Sequence, residues 1–105
     1  MRTVEFRRLL DDKNAVRVWF ELEQNRVLNF VVQLECHMNN EWRPVVRYDT
    51  AHGFAHRDVL RPSSETEKTE LAVEHYNDAL TFAIKDLAEN WEKYRRRYEQ
   101  WLEQK

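Results

Sequence analysis

Val27-Leu28-Asn29-Phe30-Val31-Val32-Gln33-Leu34-Glu35-Cys36-His37-Met38 alternates along almost its whole length. Leu28, Phe30, Val32, Leu34, Cys36 and Met38 point one way. Asn29, Gln33, Glu35 and His37 point the other, with Val27 and Val31 as exceptions. A period of two with one polar face predicts a strand in a sheet covered on one side only. The segment before it, Ala15 to Glu23, repeats the pattern with Val16, Val18, Phe20 and Leu22 inward, and Val4 and Phe6 alternate earlier still. Between these runs lie Asp11-Asp12-Lys13-Asn14, Gln24-Asn25-Arg26 and Asn39-Asn40. Asn and Asp tolerate left-handed backbone and bond their own main chain, so these short polar gaps predict hairpin turns. A fourth strand is expected from Trp42 to Thr50, with Pro44 at an edge or a bulge because it cannot donate to a ladder. A fifth is expected from Phe54 to Leu60, stopping at Pro62. Residues 1–62 therefore predict an antiparallel meander of about five strands.

Residues 63–73 predict an exposed connection, and residues 74–105 one long helix without a Gly or Pro in it. Leu80, Ile84, Leu87, Trp91, Tyr94, Tyr98 and Trp101 recur at alternating steps of four and three, a seam down one side of that helix. The whole is expected to be a single α+β domain, residues 1–105, with the helix packed on one face of the sheet. At roughly 1.5 Å per residue, about 30 residues reach about 45 Å. A compact chain of this size has a radius of gyration of only about 13 Å. The second half of the helix is thus expected to project, leaving Trp91, Tyr94, Tyr98 and Trp101 to be covered by a second copy in a homodimer. The Arg95-Arg96-Arg97 cluster, flanked by Glu92 and Glu99, reads as a solvated helix face.

Composition narrows the function. Seventeen Lys and Arg against 19 Asp and Glu give a formal charge of −2, which argues against holding nucleic acid by bulk charge alone. No apolar run approaches the roughly 18 residues of a membrane span, and no signal-type segment opens the chain, so a cytoplasmic protein with no membrane role is expected. The single cysteine, Cys36, excludes an internal disulfide and falls on the apolar phase of its strand. There is no phosphate loop and no nucleophile elbow, and nothing matches a zinc spacing, so neither a cofactor nor a metal is expected.

The chemistry centres on the only glycine. If His52-Gly53 forms a two-residue hairpin loop, Asp49 faces His56, Arg47 faces Asp58 and Val45 faces Leu60 on one side of the sheet, with Ala51 opposite Phe54. Tyr48 opposite Arg57 and Val46 opposite Val59 fall on the other. A slip of one residue would abolish this arrangement. A carboxylate beside an imidazole fixes the tautomer and stabilises the imidazolium, and an arginine holds phosphate and steadies developing negative charge. Two histidines and an arginine suffice for metal-free RNA cleavage, one imidazole taking the 2′-OH proton and the other protonating the leaving oxygen. His52, His56, Asp49 and Arg47 are the catalytic candidates, and Tyr48, Arg57 and Asp58 the binding candidates. The competing reading is a cross-strand charge ladder on a solvated face.

The string Arg47-Tyr48-Asp49-Thr50-Ala51-His52-Gly53-Phe54-Ala55-His56-Arg57-Asp58 resembles a small uncharacterised prokaryotic domain family. More distantly, its Arg-Tyr-Asp-x-Ala-His core looks like the small toxins of TumE-type toxin–antitoxin modules. That resemblance implies an RNA-directed, ribonuclease-like toxin neutralised by an antitoxin partner, with Arg47, Tyr48, Asp49, His52 and His56 inheriting roles. The alternative expectation is a non-catalytic dimerising adaptor working through the aromatic helix.

Overall fold

The computed structural model of the protein describes residues 1–104. The chain runs β1 (Arg2–Asp11), β2 (Asn14–Glu23), β3 (Arg26–Met38), β4 (Glu41–Asp49), β5 (His56–Leu60), β6 (Thr66–Glu70) and α1 (Tyr76–Glu103). The strands pair in chain order, each antiparallel to the next, in one six-stranded meander. The α+β architecture with one long C-terminal helix is therefore as the hydropathy pattern predicts. The expected helix end at Lys105 lies outside the described residues.

The sheet has one strand more than expected. β6 falls within the stretch read as a connection, because Thr66-Glu67-Lys68-Thr69-Glu70 is exposed along its whole length and carries no apolar alternation. It is an edge strand held through its backbone to β5, and its charged side chains protect the free edge.

Two tight turns work as the asparagines predict. Gln24 and Asn25 (φ 49° and 63°), and Asn39 and Asn40 (φ 52° and 64°), supply the paired left-handed residues that join twisted strands. Two bulges reset the alternation. The β2–β3 register slips between Glu21 and Leu22, which leaves Leu28 unpaired and exposed while Val27 turns inward. The β3–β4 register slips beside Pro44, so Val45 is the extra residue and the proline sits at a bulge.

The helix-facing side of the sheet buries Val16, Val18, Phe30, Val32, Leu34, Cys36, Val46 and Tyr48 under Ala79, Leu80, Ala83, Leu87, Tyr94 and Tyr98 of α1. The second half of the helix does not project. Thirteen residues of β3 at about 3.3 Å each and 28 residues of α1 at about 1.5 Å each both come to about 42 Å. The molecule is accordingly elongated, 47 × 27 × 20 Å. The helix lies along β3 and is pinned at both ends. Asn77 accepts the Val27 N–H through Oδ1 (2.9 Å) and donates through Nδ2 to the Asn25 carbonyl (2.9 Å). Arg95 donates to Asn14 Oδ1 (2.8 Å) and to the His37 carbonyl (2.9 Å). Arg95 is thus a clamp between helix and turns rather than part of a solvated basic face. Trp101 lies under the Arg61 and Arg97 guanidiniums, 4.3 and 5.4 Å from its ring. Of the four rings expected at an interface, Tyr94 and Tyr98 are buried on their own sheet, while Trp91 and Trp101 remain partly exposed. Among the described residues no helix is long and apolar enough to cross a membrane.

The β4–β5 register is the expected one, with Val46 opposite Val59, Arg47 opposite Asp58, Tyr48 opposite Arg57 and Asp49 opposite His56. The loop is longer than two residues. The ladder ends at Asp49–His56 because Thr50 leaves it: its hydroxyl accepts the Phe30 N–H (3.1 Å). Ala51 and Phe54 therefore do not pair, and the bulge at Val45 likewise removes the expected pairing with Leu60. The Gly53 N–H closes a turn on the Thr50 carbonyl (3.1 Å), with Gly53 at φ +83°. A Cβ at Gly53 would meet no atom within 4 Å, so the constraint is the backbone conformation alone. Gly53→Val is expected to lower the unfolding free energy by about 1–2 kcal/mol, with Gly53→Asn milder. Chemical denaturation measures both, and equal stability of all three proteins would show that the turn does not need its glycine.

Candidate functional site

Register divides the Arg47-Tyr48-Asp49 run between the two faces of the sheet. Tyr48 and Arg57 turn toward the helix. Arg47, Asp49, His56 and Asp58 turn to the face that the helix leaves open. Two cross-strand rows run across that open face. One is Glu5, Trp19, Val31, Asp49, His56 and Glu70, and the other is Arg7, Arg17, Gln33, Arg47, Asp58 and Lys68.

At their β4–β5 crossing the rows form a cluster. His56 Nε2 lies 3.0 Å from Asp49 Oδ1 and 3.7 Å from Asp58 Oδ2. Its Nδ1 faces the Phe54 carbonyl at 3.3 Å. Asp49 Oδ1 also accepts the Ala51 N–H (3.0 Å), which ties the loop to the cluster. Lys68 Nζ lies 3.3 Å from Asp58 Oδ1. Although no helix covers this side, His56 is only 1% exposed and each aspartate 8%. The loop supplies the cover: the His52 ring stacks on His56 at 5.8 Å and the Phe54 ring lies 5.4 Å away.

Burial separates the two histidines expected to act together. His52 is exposed, and His56 sits behind it. His52 is open to solvent on this face, whereas His56 touches the loop and the two carboxylates.

The basic groups beside the cluster are not equivalent. Arg7 and Arg17 are both engaged by Glu35, at 3.6 and 3.0 Å. Arg47 donates from Nε to Gln33 Oε1 (2.8 Å), and among the described residues it forms no ion pair, not even with Asp58 opposite. It is a cation left available on the open face, two residues from Asp49.

Tyr48 and Arg57, the expected binding residues, belong to a network beneath the helix. The Tyr48 and Tyr94 hydroxyls both donate to Asp86 Oδ2 at 2.6 Å, Asn90 donates to Asp86 Oδ1 (2.8 Å), and Arg57 donates to the Tyr94 hydroxyl (3.2 Å). Asp86, Arg95 and Lys68 were not among the candidates. Asp86 is next to Leu87 in the helical seam, so an acidic group bordering an apolar stripe was the available signal. Lys68 had none, since its strand has no hydrophobic pattern. Cys36 is fully buried and its thiol is pushed up to about 12 by that burial, consistent with an inert core residue.

Burial first, and the Asp86 carboxylate second, raise both phenols above their ordinary value. A group that holds its proton more tightly when folded contributes stability that is full below its unfolded value, about 10 for tyrosine, and declines as pH rises beyond it. The protein is therefore expected to lose stability above about pH 10. Tyr48→Phe should remove one bond to a charged acceptor, worth about 1.5–3 kcal/mol, and flatten the alkaline decline. Urea denaturation at a series of alkaline pH values measures the slope, and an unchanged slope in Tyr48→Phe would exclude that phenol as its source.

The sheet, helix and open-face cluster define a small α+β domain with a loop-covered carboxylate–imidazole site. The chain belongs to the family described as Domain of unknown function (DUF7718), whose model matches residues 1–104. No curated protein and no solved structure has a significant match to the chain.

Proposed function

We propose that the protein is RNA-directed, and that its working surface is the open face of the sheet around Arg47, His52 and Lys68. The observation that carries this reading is an arginine without an ion pair on the open face where the loop presents an exposed histidine over a buried carboxylate–imidazole cluster. The Arg47 guanidinium matches a phosphate diester, and Lys68, half-exposed at the edge strand, adds a second cation. His52 is the group placed to move a proton to or from a bound ribose or phosphate oxygen. His56, Asp49 and Asp58 are positioning residues that hold the loop under His52. Trp19 and Trp42 lie on the same face and offer rings for unpaired bases. The distant resemblance of the Arg-Tyr-Asp-x-Ala-His core to TumE-type toxins supports the same direction and adds an antitoxin as the expected partner.

Purified protein incubated with total RNA at low salt tests this, with and without EDTA. Binding that weakens with salt is expected, together with cleavage that His52→Ala abolishes and Arg47→Ala reduces by about 100-fold, the loss typical of a preorganised charge-stabilising group. Absence of both binding and cleavage would overturn the reading. In cells, expression is expected to slow growth, and His52→Ala with Arg47→Ala to restore it.

The adaptor reading keeps Trp91 and Trp101 as its surface, with partly exposed rings. A homodimer through them predicts a doubled mass by light scattering at micromolar concentration that Trp91→Ala returns to 12.9 kDa.

A further inference from the structure

We infer that Asp49, His56 and Asp58 form a binding site for a divalent transition-metal cation of the zinc or manganese type. The inference concerns the same cluster that the RNA reading uses to position His52, and its test contains no RNA.

Three observations carry it. The first is convergence. One ligand atom from each residue lies within 4.8 Å of the others, with His56 Nε2 at 3.0 Å from one carboxylate and 3.7 Å from the other. Donor atoms bound at about 2.0–2.2 Å to a common ion stand at separations of this order.

The second is what the imidazole faces. The Phe54 carbonyl at Nδ1 (3.3 Å) and the Asp49 carboxylate at Nε2 (3.0 Å) can both only accept. A neutral ring carries one N–H and satisfies only one of them. A metal ion at Nε2 satisfies both sides at once, held by that nitrogen and the carboxylates while Nδ1 keeps its proton for the carbonyl. A histidine whose far nitrogen donates to a backbone carbonyl is the usual arrangement of a metal ligand.

The third is Asp58 itself. It is 8% exposed; its Oδ2 faces His56 at 3.7 Å, and its Oδ1, on the Lys68 side, is shut off from solvent without accepting a hydrogen bond. The nearest cation is the Lys68 ammonium at 3.3 Å, on a side chain 45% exposed and able to swing out. Asp49, by contrast, already accepts the Ala51 N–H, which orients its carboxylate toward the cluster.

One nitrogen and two carboxylate oxygens suit zinc or manganese better than calcium, which takes six to eight oxygens. The site arises from cross-strand register, so no sequence spacing announces it. Asp49 and His56 face each other across the β4–β5 ladder, and Asp58 follows two residues along the same face of β5.

The experiment titrates the full chain, first treated with EDTA and then dialysed, with zinc chloride, manganese chloride or calcium chloride. Calorimetry and thermal unfolding are read together, with no RNA present. One zinc or manganese ion per chain is expected, with a raised melting temperature and no comparable effect of calcium. Asp58→Asn is expected to weaken binding by at least roughly 100-fold, the upper range for losing even an outer-shell partner. His75→Ala is expected to retain it, which separates the cluster from a surface histidine. Lys68→Met keeps the proposal testable should Asp58→Asn fail to fold. Removing the competing ammonium should tighten zinc binding, whereas a purely structural charge ladder would lose stability and gain no metal affinity. In ¹⁵N spectra of the imidazoles, zinc should shift His56 Nε2 and leave the Nδ1 proton in place. No binding to the wild-type chain, or binding indifferent to both Asp58→Asn and Lys68→Met, would overturn the inference.

Discussion

The pairing of Asp49 with His56 across β4 and β5 is the constraint on which the remaining features depend. Side chains alternate with a period of two, so this register places Tyr48 and Arg57 beneath the helix and their neighbours on the open face. Beneath the helix, Asp86 collects two tyrosine hydroxyls and fixes α1 against β4. On the other side the same strands bring two carboxylates to one imidazole. A shift of one position would bury Arg47 and Asp49 against Val32 and Leu87 and would put Tyr48 in solvent.

The helix and the sheet match in length, and that match decides what is left exposed. Because β3 is as long as α1, the helix spends its aromatic second half on its own sheet. Tyr94 is both a core residue and a hydrogen-bond partner there, and Trp101 is covered by two guanidiniums of its own chain. The face of the sheet opposite the helix is therefore left uncovered. Its charges are partly neutralised internally, with Glu35 engaging Arg7 and Arg17, and Arg47 stands out because its opposite neighbour, Asp58, is turned to His56 and Lys68 instead.

The loop from Thr50 to Ala55 converts a sheet surface into a site. Thr50 is diverted from the ladder to the Phe30 N–H, Gly53 turns the chain, and His52 and Phe54 fold over His56. Without that cover the Asp–His pair would be an ordinary solvated cross-strand contact, worth a few tenths to about 1 kcal/mol. Under it, two carboxylates and an imidazole share a nearly dry space, where their mutual interactions are far stronger than in water.

Wherever one face of an element is apolar, the sequence alone determined its structure. The alternation of Phe30, Val32, Leu34 and Cys36 defined β3, the asparagines defined two turns, and the 3–4 spacing from Leu80 to Trp101 defined α1. The Asp49–His56 register matches the one expected from a His52-Gly53 turn although the loop runs from Thr50 to Ala55, because the longer loop is centred on the same two residues. What tertiary structure decided has no such local signal. β6 is polar on both faces and exists only because β5 offers a free edge. The burial of Tyr94 and Tyr98 depends on the length of a strand some sixty residues away in the chain. The enclosure of His56 and the approach of Lys68 to Asp58 come from a loop and an edge strand folding onto a face that hydropathy marks as open. Hydropathy records the average polarity of a position, whereas the distance between two charges and their access to water are set by segments brought together only in the folded chain.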